Sequence, residues 1–497
     1  MNNKNMLLLG IVFSGPILGS TCDELRSLAL TNVTLTAAQL LPAGDYQPQV
    51  PGATLTLPAH CRIAAVLAPS SDSHIEMELW LPDSNWNGKF LALGNGGWAG
   101  SISYSAMASG LKAGYAVASN DTGHKGGSAA FMVGHPEKLV DFGYRSMHEM
   151  AVQSKLIIER FYERQPALSY YEGCSTGGRQ GLMEAQRYPE DFDAIIAGAP
   201  VNNQFNLNLA QMQGMVSVLK DPSLYLPPDK IQLLHAAVLA QCEANDGVKD
   251  GFLNNPLACD FDPTVLQCKD GAATGATTAC LTARQVESVR RVYAPVVLSS
   301  GTELYPGHAL GFELGWRMLD QGDLPSPLQS DVVSYIAHEN PAWDWQSFDL
   351  ESDARLVLAR AHDVTSDDPD LSAFKARGGK LLMYHGWNDP GPAPANSIAY
   401  YGRVLQTLGS DQSDWLRLFM MPGMGHCRGD IGPDQADFLT ALDQWREQGV
   451  APATITATRV RDGRVDMSRP LCPHPQVATW MGTGNPDDAA FYECTAQ

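Results

Sequence analysis

Between residues 75 and 200 the chain alternates short apolar strands with helix-patterned stretches, loses that rhythm near 205, and resumes it at 380. Few folds accommodate such an interruption. Ile75-Glu-Met-Glu-Leu-Trp-Leu81 alternates apolar and polar side chains, the pattern of a half-buried antiparallel strand. Lys89–Leu93 and Tyr115–Ser119 are short apolar runs that end in turn residues. Residues 138–163 carry Leu139, Phe142, Met150, Leu156, Ile157 and Phe161 at roughly helical spacing. Strands Leu168–Tyr171 and Asp193–Ala197 bracket a helix that ends near Tyr188, and strands Lys380–Tyr384 and Leu416–Met420 alternate with helices at 396–408 and 435–447. Strands and crossover helices in this order make an α/β fold. Residues 205–372 hold four cysteines, many Asp, Asn and Pro residues and scattered aromatics, and read as an inserted domain.

At 497 residues the chain is too long for one simple core. A formal charge of −20 argues against a nucleic-acid or anionic-membrane partner. Lys4, the apolar run Met6–Phe13 and the small residues of Ser14–Ser20 have the layout of a secretory signal peptide over residues 1–20. The run is too short to span a bilayer and nothing later is long enough, so a secreted or periplasmic protein without a membrane partner is expected. Ten cysteines in an exported chain imply five disulfides. Proximity offers Cys22–Cys61, Cys242–Cys259, Cys268–Cys280 and Cys472–Cys494, which leaves Cys174 and Cys427, although sequence alone does not give connectivity. No cysteine pair has zinc-site spacing and there is no His-Glu-x-x-His.

Gly173-Cys-Ser-Thr-Gly177 lies between a strand and a helix, the context in which Gly-x-Ser-x-Gly forms a nucleophile elbow. The hydroxyl of Ser175 would then stand at the top of the sheet, beside a helix N-terminus that favours negative charge. A serine needs a base, and in the α/β-hydrolase order an acid and then a histidine follow on later loops. Asp389 follows the strand at 380–384 and His426 the strand at 416–420. His385 is a rival base but stands too close to Asp389 and out of that order. An oxyanion needs two donors: the N–H of Thr176, and one from the loop Gly94–Gly100, where Gly97 is preferred over Gly96.

Cys174-Ser175, Asp389 and His426-Cys427 resemble the Cys-Ser/Asp/His-Cys signature of the tannase and feruloyl esterase family, which also includes a bacterial mono(2-hydroxyethyl) terephthalate hydrolase. The resemblance covers nearly the whole mature chain. It implies an α/β-hydrolase fold with a large inserted lid domain: catalytic residues 21–204 and 373–497, lid 205–372. It also implies a Cys174–Cys427 bond between the loops of nucleophile and base. Cys242-Glu-Ala-Asn-Asp-Gly-Val-Lys-Asp-Gly-Phe252 resembles the family's lid calcium loop. The implied ligands are the side chains of Glu243, Asp246 and Asp250 and the carbonyls of Val248 and Phe252. Glu243 departs from the expected Asp. The calcium would be structural, and no organic cofactor is expected. The function so implied is a secreted serine esterase that cleaves small-molecule aromatic esters, of hydroxycinnamoyl or galloyl type, through a Ser-His-Asp triad and an acyl-enzyme. The alternatives are a terephthalate-monoester hydrolase, a secreted acyltransferase, and a non-catalytic hydrolase-like binding protein, against which the complete triad speaks.

Overall fold

Nine strands form the central sheet: β1 (Val33–Leu41), β2 (His60–Leu67), β3 (Ile75–Pro82), β4 (Lys89–Leu93), β5 (Ala116–Asn120), β6 (Leu168–Cys174), β7 (Ala194–Gly198), β8 (Lys380–Gly386) and β9 (Leu416–Met421). The computed structural model describes residues 21–48, 54–98, 100–269, 280–316, 325, 327–361 and 364–496, so the expected signal peptide lies outside it. In space the strands run β1-β2-β3-β5-β4-β6-β7-β8-β9. Pairing is antiparallel from β1 through β5 and parallel from β5 through β9. The exchange of β4 and β5, followed by a parallel run with helical crossovers, is the α/β-hydrolase arrangement.

The crossovers are α1 (Tyr104–Lys112), α2 (Ser146–Tyr162) and α3 (Thr176–Arg187). Between β7 and β8 the described residues add no strand to the sheet; this insertion contains α4 (Gln204–Lys220), α5 (Pro228–Cys242) and α6 (Ala283–Tyr293). Helix α7 (Pro394–Leu408) links β8 to β9, and α8 (Phe438–Gln448) follows. Successive strand residues face opposite sides of a sheet, so a strand covered on both faces must be apolar throughout. Phe90, Ile195 and Leu381 accordingly enter one core with Met150, Ile157 and Tyr400, while their neighbours Leu91, Ile196 and Leu382 enter the other with Leu111, Leu442 and Trp445.

Three local expectations shift. Strand β3 is buried on both faces, because Glu78 takes hydrogen bonds from the Arg62 guanidinium and from Trp80 Nε1 (2.7 Å) and so enters the interior paired. The helix expected over 138–163 is interrupted by a π-helical turn at Asp141–Arg145. The helix expected from 435 begins at Phe438, capped by Asp437, because Gln435–Ala436 pairs instead with the strand Ile455–Arg461.

Disulfides join Cys22–Cys61, Cys174–Cys427, Cys242–Cys259, Cys268–Cys280 and Cys472–Cys494. No helix among the described residues is long and apolar enough to cross a membrane.

Candidate active site

Strand β6 runs through Cys174 and α3 starts at Thr176, so the whole reversal falls on Ser175, held at φ 65° and ψ −123°. A non-glycine residue is strained there and persists only if its surroundings fix it. The flanking glycines permit this. A Cβ on Gly173 would sit 2.6 Å from the carbonyl carbon of Gly177, and one on Gly178 would sit 2.4 Å from the oxygen of Gly198. Strand and helix therefore approach to a separation that excludes side chains. The Ser175 N–H donates to Gly198 O at 2.9 Å, which anchors the turn to β7.

The loop after β8 carries Asp389, fully buried. Its Oδ1 accepts the Gly391 N–H at 2.8 Å, and its Oδ2 lies 2.7 Å from His426 Nδ1 and 3.2 Å from His385 Nε2. Burial alone would raise the Asp389 pKa, but hydrogen bonds from His385 and His426 overcome it and hold the carboxylate at about 2. For His426 the balance also favours the charged form. Burial pulls its pKa down, yet the hydrogen bond and charge of Asp389 leave it raised above 6.5. With Nδ1–H committed to Asp389, Nε2 is the atom left to accept a proton.

His385 is fully buried and has a different task. Its Nε2 lies 3.0 Å from Pro392 O, which can only accept, so that nitrogen carries hydrogen; Nδ1 takes the Ser397 hydroxyl at 2.7 Å. It serves Asp389 as a second donor. In sequence His385 reads only as a rival base; its position at the end of β8, four residues before Asp389, was the available signal.

Ser175, Thr176, Gly97 and His426 line one cavity of about 390 Å³. Gly96 is exposed and does not line it. The Thr176 hydroxyl donates to Gly97 O at 2.9 Å and the Gly177 N–H to Asn95 O at 2.8 Å, so the glycine loop is tied to the start of α3. Neither the Gly97 nor the Thr176 N–H has an acceptor among the described residues. A further part of the wall is a polar stripe of α4, Gln204, Asn208 and Gln211, with Leu207, Met215 and Leu328. The i, i+4, i+7 spacing of that stripe was legible in sequence, but nothing there said what it faced. This arrangement can activate a hydroxyl, hold an anion and orient a base.

The acidic loop is separate. Glu243 Oε1 accepts the Gly251 N–H at 2.6 Å, Asp246 Oδ1 accepts the Val248 N–H at 3.0 Å, and Asp250 pairs with buried Arg469 at 2.6 Å. Val248 and Phe252 are buried. Among the described residues no three His, Cys, Asp or Glu side chains converge as a metal-holding group. Burial, with Asp250 nearby, raises the Asp246 pKa to about 6 despite the Val248 N–H.

Residues 61–495 match the family described as tannase and feruloyl esterase. An uncharacterized esterase of Xanthomonas campestris is 33% identical over 99% of this chain and 94% of its own. A probable feruloyl esterase B-1 of Aspergillus flavus is 35% identical over 87% of this chain and 86% of its own. The crystal structure of feruloyl esterase B from Aspergillus oryzae superposes with a TM-score of 0.89 at 31% identity, covering 95% of this chain and 99% of that one.

Proposed function

The chain belongs to the tannase and feruloyl esterase family, a family of carboxylic ester hydrolases, and we propose that it cleaves esters of aromatic acids with Ser175, His426 and Asp389 as its triad. The observation that carries this is a strained serine at a helix N-terminus sharing one cavity with a histidine whose other nitrogen is bound to a buried carboxylate. Ser175 Oγ attacks the ester carbonyl as His426 Nε2 takes its proton. Asp389 keeps the imidazole in the right tautomer and stabilises the imidazolium. The N–H groups of Gly97 and Thr176 receive the oxyanion, help worth about 3–4 kcal/mol per donor in comparable sites. His426 then protonates the departing alcohol, and water, activated by the same nitrogen, releases the acid from Ser175.

Aromatic acyl groups are favoured by the apolar part of the wall (Val201, Leu207, Met215, Leu328) and by relatives named feruloyl esterase. Residues 205–372 act as the lid over this cavity, and 21–204 with 373–497 as the catalytic domain. Five disulfides support export of the mature chain. A structural calcium is supported by the charge of the acidic loop, Glu243, Asp246 and Asp250: one guanidinium, Arg469, pairs with Asp250, and burial raises the pKa of Asp246 and of Asp250. The three side chains and the carbonyls of Val248 and Phe252 would hold it.

A fluorophosphonate probe is expected to label Ser175, and Ser175→Ala to lose both labelling and ester cleavage. Cleavage that survives in that variant would sink the assignment. Hydrolysis of methyl ferulate, methyl gallate, chlorogenate and the terephthalate monoester, measured side by side, sets the acyl preference.

A further inference from the structure

The N–H of Gly97 belongs to a peptide with little stiffness of its own. Gly96 precedes it, Gly97 stands at φ 58°, and neither has a side chain to fix the plane between them. That plane is held by what grips the residues on either side. Before it, Asn95 is bound to the sheet side of the molecule: its Nδ2 donates to Ser101 O and to Asn120 O, both at 2.8 Å. After it comes Trp98, fully buried. Its carbonyl oxygen takes His124 Nε2–H at 2.6 Å, but its indole is held by the insertion. Trp98 Nε1 donates to Leu328 O at 3.1 Å, on the short helix Pro327–Asp331.

That helix is itself fastened at both ends. Asn208 of α4 donates to the same Leu328 oxygen at 2.5 Å. At the far end, Oδ2 of buried Asp331 accepts the Ser128 hydroxyl at 2.7 Å and the Ala129 N–H at 2.9 Å. The helix also lies directly against the glycine, since a Cβ on Gly97 would sit 3.7 Å from Leu328 Cδ1. An oxyanion donor acts through being aimed before the charge forms, so a small tilt of its peptide weakens it. If Leu328 O were withdrawn, a fully buried indole N–H would be left unpaired, and Trp98 would shift to find a partner. Gly97, its neighbour, has no side chain to resist that shift.

Building on the esterase reading above, we propose that Trp98 is a positioning residue for the oxyanion donor Gly97, and that the insertion aims this donor through the Leu328 carbonyl. Trp98→Phe removes the indole N–H and keeps a ring against Phe142 and Phe205, which stack on Trp98 at 5.3 and 6.0 Å. With methyl ferulate, kcat is expected to fall about five- to tenfold while KM stays within about twofold. Two inhibitors separate aiming from a general loosening of the fold. Phenylboronic acid forms a tetrahedral adduct on a serine and needs the oxyanion donors, so its Ki should rise by the same factor as kcat falls. The phenol 2-methoxy-4-propylphenol carries the aromatic ring without an acyl group, and its Ki should stay within about twofold. A ratio of the two Ki values unchanged in folded Trp98→Phe would overturn the proposal. Where Trp98→Phe does not fold, Asp331→Ala decides in its place by the same ratio, with Asp331→Asn, whose amide oxygen still accepts, expected to restore it. Failure of the underlying esterase reading looks different: the unsubstituted protein would neither cleave methyl ferulate nor be inhibited by the boronic acid.

Discussion

Two aspartates, fully buried Asp389 and half-buried Asp246, meet opposite fates in this molecule. Burial pushes both toward the neutral form. At Asp389 two histidines and an amide answer that push, and the carboxylate is held at about 2. At Asp246 backbone amides and the charge of Arg469 answer it more weakly, the Asp250 carboxylate adds to it, and the group rises to about 6. Burial does not decide the charge of an acid; its partners do. The Asp389 carboxylate is kept charged by its partners, whereas Asp246 is left with a raised affinity for a proton.

The sharpest way to break this contrast is to take the charge from Asp389. Asp389→Asn should lower kcat by about 10⁴-fold, because an amide no longer holds His426 in the required tautomer. Thermal unfolding of the same variant separates that loss from a folding defect. Next, the paired change Cys174→Ala with Cys427→Ala removes the link between the loops of Ser175 and His426. Denaturant titration should show a loss of about 2–5 kcal/mol, with kcat reduced even where the variant is fully folded. If kcat is unchanged in the folded fraction, the link matters for stability alone.

Chelation probes the acidic loop. A cation at 100 times its Kd stabilises by about 2.7 kcal/mol, so a chelator should lower the melting temperature, and calcium should restore it. Glu243→Ala should shrink that shift, and no shift at all would leave the acidic loop as a solvated turn. The smallest effect lies in the pH response of the chelated protein. The folded pKa of Asp246 stands above its ordinary 3.8, so the fold binds this proton more tightly than the unfolded chain does. Stability from this group should therefore rise as pH falls from about 6 toward 4, and calcium should reverse the trend. Activity runs the other way: His426, raised above 6.5, must be neutral to accept a proton, so kcat/KM should fall below its pKa.

Much of the catalytic half was legible because its signals are local. Gly173 and Gly178 flank a serine between a strand and a helix, and the steric reason for those glycines lies within a few residues or on the adjacent strand. The apolar runs at 90–92, 194–197 and 381–383 announced strands, and the structure covers them on both faces. The misreadings also had local causes. Glu78 looked like a solvent-facing position because its partner Arg62 sits on another strand. Gln435 and Ala436 looked helical because Ile455–Arg461, which pairs with them, was not identified as a strand.

Periodicity, turn chemistry and the Gly-x-Ser-x-Gly pattern by themselves pointed to the α/β class, the elbow and the candidates Ser175, Asp389 and His426, while cysteine proximity only offered four pairings. These act over a handful of residues, where backbone sterics and side-chain alternation leave few options. Tertiary structure alone decided the exchange of β4 and β5, the burial of His385 behind Asp389, the raised pKa of Asp246 beside Asp250, and a second cavity sharing Leu207 and Gln211 with the first. Each of these depends on which distant segment supplies a neighbour. Desolvation and hydrogen-bond partnership are properties of that neighbourhood, and no stretch of chain carries them alone.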